Sequence, residues 1–291
     1  MICQNCPRKC NAIRNTKEGN GYCKMPETPV VARAGLHMWE EPCISGKNGS
    51  GTVFFSGCSL GCVFCQNNEI SHLNYGKAIS VERLAEIFRE LEHKNAHNIN
   101  LVNPTHYVDA INKAFEIYMP NIPIVFNSGG YDTVESIEQA SKFTDIFLMD
   151  YKYCSSERAL KYSKAYNYPQ IAEKAILKCA EIVKENHFDN NGLMTKGLII
   201  RHLILPQGTR DAIDVIKWVS ENVPWSVLSI MSQYTPHGDL TDYKEINRKI
   251  TAREHNKVLD FACCSDIKSI LIQELSSSSN KFIPIFDLSG V

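Results

Sequence analysis

The chain has 291 residues, of which 44% are hydrophobic and 22% charged, enough apolar material for a folded core and too much for a disordered chain. Thirty-one Lys and Arg against 32 Asp and Glu leave a formal charge of −1, so no broad cationic field is available for nucleic acid or an anionic membrane. The first residues lack the apolar core of a signal peptide and no window approaches a membrane span, so the expected location is cytoplasmic.

Eight of the twelve cysteines fall within the first 65 residues: Cys3, Cys6, Cys10, Cys23, Cys43, Cys58, Cys62 and Cys65. In a chain of this size they point to metal chemistry before disulfides. Residues 1–30 are polar, rich in Pro and Gly, and show neither helical nor strand periodicity. Such a segment needs a metal or a host surface to hold it. Four thiolates at Cys3, Cys6, Cys10 and Cys23 can fold round a structural zinc or an auxiliary iron–sulfur cluster, or stay reduced and empty. Residues 44–51 (ISGKNGSG) read as a linker.

Apolar runs at 52–55, 99–102, 122–126, 146–149, 198–205 and 227–231 predict parallel strands covered on both faces. Between them lie amphipathic stretches: one behind Ser80, one after Thr133, others at 171–183 and 212–219, and a last one behind Thr251 and Glu254, a capping-box pair. Six βα units of this kind predict either an open doubly wound sheet or a partial barrel. The run SSSSNK near the end reads as a polar loop, and Cys154, Cys179, Cys263 and Cys264 as small buried apolar residues.

The first strand runs into SGCSLGCVFCQN, placing Cys58, Cys62 and Cys65 on the loop at its carboxyl end, where α/β folds carry their chemistry. Three thiolates can ligate three irons of a 4Fe-4S cluster and leave the fourth open to another ligand. A zinc knuckle is the alternative, and it would have to recruit a fourth ligand such as His72.

This C-x3-C-x2-C loop, with Phe64 before the third cysteine, resembles the signature of the radical S-adenosylmethionine superfamily. The N-terminal C-x2-C-P-R-x-C segment and the runs EEPCISGKNGSGTVFFSGCSLGC, NLVNPTHYV, LMDYKY and SQYTP are similar to an iron–sulfur subgroup of pyruvate formate-lyase-activating enzyme homologues. The resemblance implies an α/β chain folded as a partial (β/α)6 TIM-like barrel over residues 51–275. A small cysteine-rich N-terminal extension (1–50) precedes it and a tail (276–291) follows. It also implies reductive cleavage of S-adenosylmethionine to a 5′-deoxyadenosyl radical that abstracts hydrogen from a protein or peptide. A glycyl radical enzyme is the first substrate it suggests, with an electron donor such as flavodoxin or ferredoxin. Two other readings stand beside it: the same chemistry on a small molecule or nucleoside, and a non-catalytic iron–sulfur or zinc protein that binds or transfers electrons.

The strand exits supply the candidate cosubstrate contacts. Asn103 and Thr105 stand where the superfamily often has Gly-Gly-Glu, though Thr105 also suits a helix cap. Asn127, Ser128 and Asp150 match positions that hold the methionine moiety, in part through a monovalent cation. Lys152 leaves its strand on the same face as Asp150, as a partner for a carboxylate or simply for Asp150. Arg201 interrupts an apolar strand and must be paired, with the cosubstrate or with an internal carboxylate. Phe64 and Gln233 complete the set, and Tyr234 and His237 follow the last strand. The long stretches 153–169 and 234–250 are the candidate substrate-contacting loops.

Overall fold

The computed structural model describes residues 2–275 and 284–291, so the SSSSNK run lies outside the described residues. Strands β1 (Ile2–Cys3) and β2 (Ala12–Ile13) form a separate antiparallel ribbon. Ten further strands make one sheet: β3 (Val30–His37), β4 (Ser50–Phe55), β5 (Lys77–Ala78), β6 (Ile99–Val102), β7 (Ile124–Ser128), β8 (Ile146–Asp150), β9 (His187–Phe188), β10 (Met194–Leu203), β11 (Val227–Met231) and β12 (Ser269–Ile272). Its order is β12-β11-β10-β8-β7-β6-β4-β3-β5, with β9 attached to β10. From β12 to β4 every neighbouring pair is parallel. The two edges do not pair with each other, so the sheet is a partial barrel, as expected.

All six predicted parallel strands are present, and β12 adds a seventh. Strand β3 lies inside the stretch read as extension and linker. Its Arg33 and Gly35 broke the apolar pattern, yet it pairs antiparallel along the whole of β4.

Helices α1 (Pro42–Ser45), α2 (Asn68–Ser71), α3 (Val81–His93), α4 (Val108–Ile117), α5 (Val134–Ala140), α6 (Ser156–Ser163), α7 (Tyr168–Val183), α8 (Thr209–Asn222) and α9 (Ala252–Cys263) complete the chain. Ser80 and Thr133 cap α3 and α5 by accepting from Arg83 N and Ser136 N, and Thr251 with Glu254 forms the capping box of α9. Residues 153–169 are not a loop. Ser155 caps α6 and Pro169 opens α7, while Tyr153, Tyr162 and Tyr168 are buried in the packing between them. Cys179 is buried, but Cys263 and Cys264 are exposed because α9 turns Val258 and Ala262 inward instead.

Of three buried apolar clusters among the described residues, two hold the barrel. The larger lies between the sheet and the helices. The smaller fills the barrel's amino-terminal end, where Ile44 of α1 packs against Val125, Ile146, Leu148, Ile199 and Val227. The antiparallel course of β3 explains it: His37 pairs with Ser50, so the link from β3 to β4 emerges at the barrel floor and crosses it. Burial of each such side chain contributes about 2 kcal/mol. At the sheet edge Ala34 N donates to Ser289 O at 2.8 Å and Phe286 meets Phe54 edge-on, so the last residues lie against β3. No helix among the described residues is long and apolar enough to cross a membrane.

Candidate functional site

Alternation along the strands places a polar layer directly above the apolar floor. Ile199, Arg201 and Leu203 share one face of β10, as Ile146, Leu148 and Asp150 do on β8. Arg201 and Asp150 are register partners. Arg201 Nε donates to Asp150 Oδ1 at 2.8 Å, Nη2 to Asn127 Oδ1 at 2.6 Å and Nη1 to Glu40 Oε2 at 3.2 Å. Lys152 Nζ donates to the other Asp150 oxygen at 2.5 Å.

Burial works against charge on Asp150, but Arg201 and Lys152 outweigh it and hold the carboxyl below the usual carboxylate range. Burial likewise opposes charge on Arg201, and Asp150, Glu40 and Glu41 together keep it firmly protonated. Glu41 is buried beside this group; burial raises its carboxyl while Arg201 opposes the rise.

A cavity of about 240 Å³ rises from this layer to the loops at the carboxyl ends of the strands. Cys58, Cys62 and Cys65 line it together with Phe64, Asn103, Asn127, Ser128, Asp150, Lys152, Arg201 and Gln233. The structure thus brings the predicted loop and strand-exit residues to one place, apart from His237, which does not line the cavity, and Thr105. Its hydroxyl donates to Asp132 Oδ1 at 2.5 Å beneath the rim, and it does not line the cavity. The carboxylate of Asp132 also takes the Ser128 hydroxyl. With Asn127 and Asp150 oxygens bonded to Arg201, the oxygens expected to share a monovalent cation are each engaged elsewhere. The Asp–Lys pair and the paired arginine are internal contacts that also face the cavity.

The three loop thiols are free of disulfides. Leu60 N donates to Cys58 Sγ at 3.3 Å and Ser163 Oγ to Cys62 Sγ at 3.0 Å. Burial pushes all three thiols up, and the Lys152 ammonium acts against the rise. Three sulfurs on one wall, with donors to sulfur and a cation close by, fit a cluster that leaves one position open. Asp150 and Lys152 present both signs of charge to this cavity.

The N-terminal cysteines are gathered too, on the far side of the same loop. Arg8 Nε donates to Ser59 O at 2.8 Å and Nη2 to Leu60 O at 3.1 Å, while Tyr22 Oη donates to Leu60 O at 3.3 Å. Gly57 and Gly61 have positive φ, and a Cβ on either would strike the lobe, at Met25 and at Tyr22. Glycine there gives the lobe its close approach. No three His, Cys, Asp or Glu side chains among the described residues converge on a single metal ion, so a ready-made zinc site is absent from them.

Sequence reasoning missed Glu40, Glu41 and Asp132. The signal for the first two was Arg201, which required carboxylates that alternation on β10 could not supply.

A partial parallel barrel with three thiols on the loop after its first parallel strand defines an α/β protein with a thiol-lined cavity at its mouth. The chain belongs to the radical SAM superfamily, whose pattern its residues 52–228 match. It is 31% identical over 269 residues to an uncharacterised protein of Methanocaldococcus jannaschii, covering 89% of this chain and 74% of that one. Structures of Streptococcus suis SuiB, bound to the precursor peptide SuiA or to S-adenosylmethionine, share the fold at TM-score 0.53. They are 14% and 16% identical and cover 75% of this chain in each case. The chain spans about half the SuiB length, 47% and 48% of the two chains.

Proposed function

We propose that this radical SAM protein is an oxidoreductase that abstracts hydrogen from a protein or peptide, with a glycyl radical enzyme the first partner to try. The observation that carries the reading is the convergence of Cys58, Cys62 and Cys65 with the Asp150–Lys152–Arg201 group in one cavity. A 4Fe-4S cluster on the three thiols and S-adenosylmethionine supply, when bound, the one-electron cleavage that yields the 5′-deoxyadenosyl radical. Lys152 and Asp150 orient the amino-acid end; Asn103, Asn127 and Phe64 shape the wall that excludes water.

The rim supports a polyamide substrate. Lys152 and Arg201 are the only Lys or Arg among the described residues lining the cavity, and both are bonded to carboxylates. Among the described residues, no Lys or Arg there is left for a phosphorylated small molecule. Gln66, Asn67 and Gln233 bring amide groups to the rim instead, which suit a peptide backbone. SuiB, which shares the fold, has been captured with a precursor peptide. An electron carrier of the flavodoxin or ferredoxin class would serve such an enzyme.

Anaerobically reconstituted protein given dithionite and S-adenosylmethionine is expected to release 5′-deoxyadenosine, and C58A to release none. Absence of the product from wild type would end this reading. An anaerobic pull-down that recovers a glycyl radical enzyme would establish the substrate, and transfer of deuterium from a labelled peptide into 5′-deoxyadenosine would identify the peptide class.

A further inference from the structure

The two cysteine sets of this chain share one geometric description. In the loop, the thiols of Cys58, Cys62 and Cys65 lie within mutual electrostatic reach in every pair. In the lobe, Cys6 lies within reach of Cys3, Cys10 and Cys23, and Cys23 within reach of Cys3 and Cys10. Neither set converges on a single ion. Zinc draws four thiolates to about 2.3 Å from one centre. A four-iron cluster instead interposes its own inorganic core, each thiolate taking a different iron.

The lobe is built around these sulfurs. Ribbon β1–β2 sets Cys3 opposite Ala12, and Arg14, itself almost wholly buried, points Nη1 at Cys3 Sγ at 3.6 Å. The backbone N–H groups of Arg8 and Met25 bond Cys6 and Cys23. A Cβ at Gly21 would stand 3.1 Å from Cys10 Sγ and 2.8 Å from the Ala12 Cβ, so glycine there keeps room beside the sulfur. Lys9, Asn11 and Lys24, each next to one of the cysteines, hold positive φ of 42°, 50° and 57°. Three such conformations in non-glycine residues are costly, and they cluster where a site over-determines the backbone. Hydrogen bonds to sulfur and a guanidinium beside it suit an anionic cluster.

We propose that Cys3, Cys6, Cys10 and Cys23 hold a second iron–sulfur cluster of the four-iron class, seated directly behind the three-cysteine loop. The site does not depend on the substrate or the activity proposed above.

The full chain, reconstituted anaerobically with ferrous iron and sulfide or offered zinc, tests it by metal and sulfide content and by electron paramagnetic resonance of the reduced protein. Wild type is expected to hold about eight irons per chain. The variant C58A/C62A/C65A keeps about four, with a resonance that S-adenosylmethionine leaves unchanged. The variant C6A/C23A also keeps about four, with a resonance that S-adenosylmethionine perturbs. Should C6A/C23A not fold, the loop variant decides alone. Wild type saturating at about four irons, or a loop variant that holds no iron or about one zinc, overturns the proposal. Eight irons without any 5′-deoxyadenosine would sink the proposed activity and support the second cluster.

Discussion

Asp150 and Arg201 stand opposite each other in register on β8 and β10, carboxylate to guanidinium at 2.8 Å, with Glu40 reaching the same arginine from the barrel floor. This pair joins the wall of the barrel to its floor and sets the charge balance of the cavity. R201M would leave Asp150, Glu40 and Glu41 facing one another without their main counter-ion. The expected loss is about 3–5 kcal/mol of unfolding free energy, the cost of breaking a buried pair. R201K keeps the charge and loses the fork that bonds three partners, so its loss should be intermediate. Denaturant unfolding of both variants checks this; a loss under about 1 kcal/mol, as for a surface pair, would contradict it.

Thr105 and Asp132 form a buried contact outside the cavity wall. Asp132 is buried, its carboxyl is raised by that burial, and the hydroxyls of Thr105 and Ser128 are what oppose the rise. T105V removes one donor from a buried carboxylate and is expected to cost about 1–3 kcal/mol. Affinity for S-adenosylmethionine should stay within about twofold, since Thr105 is outside the cavity. Equilibrium binding alongside thermal unfolding distinguishes the two roles; weakened binding at unchanged stability would restore Thr105 to the site.

Much of the barrel was legible because a parallel strand covered on both faces is a continuous apolar run; β4, β7, β8 and β10 each contain one, and β6 and β11 are each broken by a single polar residue, Asn100 and Ser229. Strands β3 and β12 were not, for opposite reasons. Arg33 and Gly35 broke the run in β3, and β12 is a half-exposed edge strand of four residues that the predicted apolar runs did not include. Helix α6 was hidden among tyrosines that looked like a loop and proved to be packing. In the site, the thiols and strand exits were local signals. Glu40 was not, because it meets Arg201 across 161 residues of chain only after the β3–β4 link has crossed the floor.

Acid sensitivity follows from two buried histidines. Nε2 of His106 donates to Ser56 O at 2.8 Å and Nδ1 of His202 to Tyr151 O at 2.7 Å. Burial lowers both rings to about 4, against about 6.5 in the unfolded chain. As pH falls from about 6.5 to about 4, the unfolded chain takes up protons that the folded one refuses, so stability is complete above that window and is lost within it. Each ring contributes roughly 3 kcal/mol to that loss. Asp211, pushed up to about 6 by burial, acts with the opposite sign, gaining stability as pH falls, and offsets most of one histidine. H202N, which preserves the donor to Tyr151 O, should remove most of the slope of unfolding free energy between about pH 4 and 6.5, because Asp211 then offsets His106. A variant with the wild-type slope would show that His202 is not the titrating group.

Arg8 fastens the N-terminal lobe to the loop and to the end of α6. Besides Ser59 and Leu60, it donates to Ser163 O at 2.8 Å and Lys164 O at 2.5 Å, and its guanidinium lies 4.1 Å from the Tyr22 ring centroid and 5.3 Å from that of Tyr131. Four carbonyls on two segments need the planar fork, and an ammonium cannot reach them together. A bond to a charged group contributes about 1.5–3 kcal/mol net, and these four share one side chain, so R8A should favour lobe opening by about 3 kcal/mol. When opening is fast relative to cleavage, proteolysis within residues 2–29 then rises roughly a hundredfold while the barrel stays intact. R8K should fall between the two. Mass spectrometry of limited digests reads the sites directly, and equal cleavage of R8A and wild type would mean that Tyr22, Gly57 and Gly61 hold the lobe without it. If the lobe carries its own cluster, the metal ties Cys3, Cys6, Cys10 and Cys23 to one another, and reconstitution should lower cleavage within residues 2–29 of R8A even though Arg8 no longer fastens the lobe to the loop. That dependence on iron separates a metal-stapled lobe from one held by packing alone.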